Sequence, residues 1–178
     1  AGRNATSAGM GLGINAGDGT QLRGLRVLWN RIGGIAVTGA FIVEGNTIAR
    51  NGGFGIVAHG EGTLRGNTVQ ANGGKGIDAG SSGTLISGNA VCDNGDDGIN
   101  CAHGCTILGN TSYDNGSDEN DHGIACSFGC LVRDNAVRSN SGFGLSLGAG
   151  SAYGANVISG NQAGTVSGGN NILLNVCD

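Results

Sequence analysis

The chain has 178 residues, among them 39 Gly, no Pro, 4% aromatic and 12% charged residues, with a formal charge of −4. It is one domain's worth of sequence, and with no Lys/Arg cluster it lacks the electrostatic footprint of a nucleic-acid or anionic-lipid binder. The longest apolar stretch, "GIAVTGAFIV" (34–43), is too short to span a bilayer, and no basic-then-apolar leader opens the chain.

After a short N-terminal segment (1–11), the chain is a repeat. "GNTIARNGGFGIVAHGEGTLR" (45–65) is followed by "GNTVQANGGKGIDAGSSGTLIS" (66–87) and "GNAVCDNGDDGINCAHGCTIL" (88–108). "GNTSYDNGSDENDHGIACSFGCLVR" (109–133) carries four extra residues, "DNAVRSNSGFGLSLGAGSAYG" (134–154) returns to the shorter length, and degenerate copies flank the set. Coils over 12–165 and a C-terminal segment over 166–178 complete a single domain, 1–178.

Aligned, the repeats give three apolar columns. One is Ile14, Ile35, Ile56, Ile77, Ile99, Ile124 and Leu145; the second is Leu22, Val43, Leu64, Ile86, Ile107, Val132 and Tyr153. The third is Val27, Ile48, Val69, Val91, Ser112, Val137 and Ile158. Around each the neighbours alternate, as in short half-buried strands, with Gly and Asn at the corners. A strand of this kind cannot bury its face alone, whereas stacking on its copy in the next repeat supplies a core. The expectation is an all-β chain of about seven coils of 21–22 residues with three short strands per coil, a rod of roughly 34 Å at ~4.8 Å per rung.

Two Asn columns run beside the apolar ones: Asn30, Asn51, Asn72, Asn94, Asn115, Asn140 and Asn161, and Asn46, Asn67, Asn89, Asn110, Asn135 and Asn156. Asn tolerates a left-handed backbone, and stacked amides can hydrogen-bond along a ladder, so both columns read as structural. The pattern "GNTVxxNGGxGI" over about 12–165 resembles the right-handed parallel β-helix repeat family, the pectate-lyase-like superfamily. That resemblance implies a single-stranded right-handed β-solenoid. The family holds polysaccharide lyases, hydrolases and epimerases beside fibres and adhesins, so it leaves function open.

Register brings acids together. Asp97 aligns with His122, Asp96 with Asp121 and Asp93 with Asp114, and the insertion adds Asp118 and Glu119. One reading is catalytic, through Asp96, Asp97, Asp121 and His122: "DDGI" followed a coil later by "HGIA" resembles the acid pair and Gly-His-Gly element of polygalacturonases. That family's Asn-x-Asp element is replaced by "NGGKG" (72–76), and its Arg-x-Lys element is missing. Tyr113 with "DENDH" (118–122) resembles the Asp-Pro-His core of mannuronan epimerases, without the Pro. A second reading is calcium held by Asp96, Asp97, Asp118, Glu119 and Asp121, since Ca²⁺ takes six to eight oxygens. The third is a solvated acidic corner with no ligand.

Cys101-x3-Cys105 and Cys126-x3-Cys130 occupy equivalent slots in adjacent coils. Bonds within each coil, Cys101–Cys105 and Cys126–Cys130, are the first choice, with bonds between coils and a four-Cys zinc site as alternatives. Paired cysteines place the chain in an oxidising compartment, secreted or on a cell surface. Cys92 and Cys177 lie about four coils apart and are candidates for bonds between molecules. Asn4, Asn110 and Asn115 stand in glycosylation sequons.

Residues 1–75 hold 7 basic and 3 acidic groups, and 76–178 hold 2 and 10. With no capping helix or Pro, the asymmetric rod has open edges that could stack head to tail. The sequence therefore leads with an exported, non-enzymatic structural or adhesive solenoid that assembles end to end, no cofactor being required. Its rival is a polysaccharide-active enzyme (hydrolase, lyase or epimerase) or glycan-binding module at the acidic corner. Against the rival, the sequence shows neither a cleft wall nor a cation near the acids, and its aromatics, Trp29, Tyr113 and Phe128, are scattered.

Overall fold

The computed structural model describes residues 11–178. Among the described residues, twenty-two strands wind into three parallel ladders. The first stacks β1 (Leu12–Ala16), β4 (Gly33–Thr38), β7 (Phe54–His59), β10 (Ile77–Ala79), β13 (Ile99–His103), β16 (Ile124–Phe128), the front of β19 (Phe143–Gly154) and β21 (Gly164–Asn171). The second stacks β2 (Thr20–Arg23), β5 (Phe41–Glu44), β8 (Gly62–Arg65), β11 (Leu85–Ser87), β14 (Thr106–Leu108), β17 (Leu131–Arg133) and the back of β19. The third stacks β3 (Arg26–Leu28), β6 (Thr47–Ala49), β9 (Thr68–Gln70), β12 (Ala90–Cys92), β15 (Thr111–Tyr113), β18 (Ala136–Arg138), β20 (Val157–Ser159) and β22 (Val176–Cys177). The result is an all-β parallel solenoid of about eight turns, one more than the sequence columns count. The extra turn is made by β21, which begins at Gly164 and runs into the segment set apart as C-terminal, and by β22, which lies within it.

The apolar columns are the core. Ile35, Ile56, Ile77, Ile99, Ile124 and Leu145 pair rung on rung and are fully buried, as are Val43, Leu64, Ile86, Ile107 and Val132. Because the side-chain period is two, this register turns the intervening residues of each strand to solvent. Any slip of one residue would expose the whole column.

The corners depart from the Asn reading in one respect. At the Asn corners the left-handed residue is the one just before the Asn: Trp29, Arg50, Ala71, Asp93, Asp114, Ser139 and Gly160 at φ 53–61°, and Gly45, Gly66, Gly88, Gly109, Asp134 and Ala155 at 54–63°. The Asn of both columns are absent from the positive-φ set. Each left-handed residue turns the chain so that the next side-chain amide points inward, where it is nearly solvent-free. Asn51 is typical: its backbone N–H (3.0 Å) and its Nδ2–H (2.9 Å) both donate to Oδ1 of Asn72, and Nδ2 also donates to the Val27 carbonyl (3.2 Å). Asn175 adds a further rung to the second column, accepting from Asn156 at 2.9 and 3.1 Å, at a spacing of 19 residues that hid it from the repeat. Burial also removes Asn110 and Asn115 from the sequons a glycosyltransferase could reach in the folded chain, and Asn4 lies outside the described residues.

Among the described residues no helix is long and apolar enough to cross a membrane. On the turn of β21 and β22, Ile172, Leu174 and Val176 are 50, 91 and 68% exposed.

Candidate functional site

Two residues before the buried Ile column, the chain passes from the Asn corner into the first ladder. Here the register sets Lys75, Asp97, His122 and Phe143 on four successive rungs. Lys75 Nζ lies 3.5 Å from Asp97 Oδ2, and Asp97 Oδ1 accepts the backbone N–H of His122 at 2.7 Å. The Asp97 side chain is only 9% exposed, and this burial pushes its carboxyl above the ordinary 3.8; the His122 N–H and the Lys75 ammonium oppose the shift.

His122 Nδ1 accepts the Phe143 backbone N–H at 3.1 Å, and its ring lies 5.9 Å from that of Phe143. With Nδ1 occupied as an acceptor, the neutral imidazole carries its proton on Nε2. His122 and Phe143 line a groove of about 540 Å³ together with Glu119, Asn120, Ser146, Ala163 and Ser167. Ser146 and Ser167 belong to the outward column of the first ladder, which continues through Ala125 to Asn100 and Asp78. Asn100 Nδ2 donates to Asp78 Oδ1 at 2.9 Å, so polar side chains extend along this face well beyond the groove.

The four-residue insertion forms one rim of the groove. Asp121 Oδ2 accepts from Ser117 N (2.7 Å), Ser117 Oγ (3.2 Å) and Asp118 N (3.1 Å), while Asp118 Oδ1 accepts from Asn120 N (2.8 Å). Asp96 Oδ1 likewise accepts the Asp97 N–H at 2.6 Å. Of the five carboxylates proposed for calcium, Asp96, Asp97, Asp118 and Asp121 thus each hold backbone N–H groups. Among the described residues, the His/Cys/Asp/Glu set whose ligand atoms converge within 4.8 Å is Cys101, Cys126 and Cys130, not these acids. Of the four catalytic candidates, His122 lines the groove and Asp97 holds its backbone N–H from the neighbouring rung, while Asp121 and Asp96 accept N–H groups of their own turns.

Sequence reasoning misses Lys75. The motif "NGGKG" stands out for the acids it lacks, yet its Lys occupies the same register slot as Asp97 and His122. The structure therefore corrects the expectation that no cation stands near the acids and no wall flanks them. The aromatics are indeed apart: Arg50 covers Trp29 at 5.1 Å, Arg138 covers Tyr113 at 4.8 Å, and Phe128 is exposed at another corner beside His103. Tyr113 lies on the third ladder over Cys92, away from His122. Cys92 is 3% exposed, which removes it from the pair of cysteines available to another molecule, and Cys177 is exposed. The other four cysteines form the disulfides Cys101–Cys105 and Cys126–Cys130.

A search of curated protein sequences finds no match. Among solved structures, the Azotobacter vinelandii mannuronan C-5 epimerase AlgE6 A-module is similar, with a TM-score of 0.81 and 21% sequence identity over 94% of this chain. The match spans 55% of that module, so this chain corresponds to about half its length. The family model described as right handed beta helix region matches residues 10–163. The chain thus belongs to the right-handed β-helix family.

Proposed function

We propose that the chain binds and acts on an extended, carboxylate-bearing polysaccharide along the outer face of the first ladder. The observation that carries this is the row of an ammonium, a carboxyl and an imidazole, Lys75, Asp97 and His122, on adjacent rungs leading into the groove. Rungs about 4.8 Å apart set the three groups along a line, as an extended polymer requires. Lys75 supplies positive charge for a uronate carboxylate. His122 presents Nε2–H as a proton donor, held in that tautomer by the Phe143 N–H. Asp97 positions His122 by holding its backbone, and Glu119 gives the groove a carboxylate to act as base. This constellation fits proton transfer at the carbon beside a carboxylate, the chemistry of an epimerase or lyase. The solenoid neighbour is named a mannuronan C-5 epimerase module, which makes mannuronan the first polymer to try.

The order of the two sequence readings is thereby reversed. Two of the points against an enzyme, a missing cation and a missing wall, are met by Lys75 and the 116–121 loop, while the departures from the family motifs stand. Action on a polysaccharide, with two disulfides in the fold, goes with a location outside the reducing cytosol.

The test is calorimetry with mannuronan oligomers, run with and without Ca²⁺, followed by NMR of the polymer for inversion at C5 and absorbance for unsaturated ends. Binding that His122→Ala leaves intact, with turnover reduced about 10²–10⁴-fold, is expected of a proton donor. Absence of both binding and turnover in the unaltered chain would overturn the reading. The calcium arm separates a metal bridge at the acidic corner from direct recognition by Lys75.

The exposed apolar side chains Ile172, Leu174 and Val176 favour a second reading, end-to-end stacking of two copies. Sedimentation of the chain should then show concentration-dependent association that Leu174→Asp with Val176→Asp abolishes. A monomer at all concentrations would remove it.

A further inference from the structure

The four cysteines of the disulfides stand at the corner between the first and second ladders, and the polysaccharide reading makes no use of them. Cys101 and Cys126 are register partners, and the Leu131 N–H donates to the Cys105 carbonyl, which sets Cys130 one rung above Cys105. All four are at most 4% exposed. Cys130 Sγ lies 3.9 Å from Cys101 Sγ, across the two disulfides, and the sulfurs of Cys101, Cys126 and Cys130 lie within 4.8 Å of one another. A tetrahedral ion with metal–sulfur bonds of about 2.3 Å needs its sulfurs about 3.8 Å apart. Cys101 and Cys130 already stand at that spacing and Cys126 lies within 4.8 Å of both; Cys105, bonded to Cys101, is the fourth sulfur and is freed to join them when its disulfide opens. No carboxylate or imidazole shares this convergent set, which gives it the soft character that selects zinc-like ions over calcium or magnesium. Ser151 Oγ lies 4.0 Å from Cys126 Sγ and accepts the Cys130 N–H at 3.2 Å, so its hydroxyl is placed to donate to a thiolate.

We propose that the reduced chain holds one soft divalent cation, zinc by its chemistry, on Cys101, Cys105, Cys126 and Cys130. The same sulfurs then have two bonded states: two disulfides when oxidised, one metal tetrathiolate when reduced. A phosphine reductant and one water convert each disulfide to two thiols, the phosphine leaving as its oxide. On metal binding the four thiols give their protons to the buffer and the ion takes four thiolates. Such a state would hold this corner together before the disulfides form, in the same register.

The experiment uses the full chain carrying Cys92→Ser and Cys177→Ser, reduced with a phosphine under anaerobic conditions and titrated with Co²⁺. The expected result is saturation at about one Co²⁺ per chain, with the intense ligand-field and sulfur-to-metal charge-transfer bands of a tetrahedral thiolate site. Zinc should displace the cobalt, and adding Cys130→Ser should weaken binding at least about a hundredfold. Circular dichroism on the same samples reports whether the reduced chain keeps its strands. A reduced chain that takes up no cobalt, folded or not, overturns the proposal, and so do cobalt bands that survive Cys130→Ser unchanged.

Discussion

At the residue scale, Asp97 is the group with the most to lose. Burial disfavours its charged form, so its folded-state pKa stands above the unfolded value. A raised pKa means that the folded chain holds this proton more tightly than the unfolded one. The stability it confers is full below the ordinary 3.8 and is lost as pH rises through the raised folded value. Asp97→Asn keeps an oxygen for the His122 N–H and removes the titration. Thermal melts across the acid range should therefore show a flatter pH profile for the variant, and its relative stability should improve towards neutrality. A profile parallel to that of the unaltered chain would show that Asp97 is solvated. Lys75 lies in the same column but is harder to read. Its slot is legible only once the Ile stripe fixes the register, because nothing in "NGGKG" marks a lone lysine as facing an acid 22 residues on.

At the scale of the element, the Asn ladders and the Gly column beside them carry the stack. Replacing Asn72 with Ala removes the acceptor for both N–H groups of Asn51 and the donor to Asn94, all of them buried. Two orphaned donors predict a loss of about 2–4 kcal/mol in urea denaturation, far above a surface substitution. Gly55 shows why Gly recurs before the Ile column. A Cβ there would run into Val69 Cγ1 and stand 2.5 Å from the Gly76 carbonyl, with no room to give on the backbone side. Gly55→Ala should therefore cost well over the ordinary Gly-to-Ala effect, measured the same way. The apolar stripes and the strand alternation are open in the sequence because burial is encoded in residue type. The bend is not: both Asn columns are visible, but the left-handed φ sits one residue earlier, on Trp29, Arg50 or Asp93. In that column side-chain identity says little, since the backbone is held by the hydrogen bonds of the Asn one position later, whereas in the second column Gly45, Gly66, Gly88 and Gly109 mark it.

For the whole molecule, the disulfides tie one corner of two middle turns. Each closes a four-residue separation, and a loop this short limits its constraint on the unfolded chain to about 2 kcal/mol. Reduction in the presence of a chelator should thus lower the denaturation midpoint without abolishing the solenoid signal in circular dichroism. Complete unfolding on reduction would show that the corner, not the ladders, holds the molecule. The solenoid architecture is the most legible level, since a period of 21–22 residues admits few other packings. The groove is the least legible, because its rim is a segment, 116–121, that breaks the period.

The register has a consequence for how the chain is made. Nearly every ladder contact joins residues 19–28 positions apart. Each turn can thus settle as soon as the next twenty-odd residues are available, with no need for a distant partner. A chain emerging from a ribosome or a translocation pore could wind progressively, every completed turn templating its successor. Pulled from one end, it should come off in discrete steps of one turn, about 70 Å of extended chain each, which a single-molecule force trace would count.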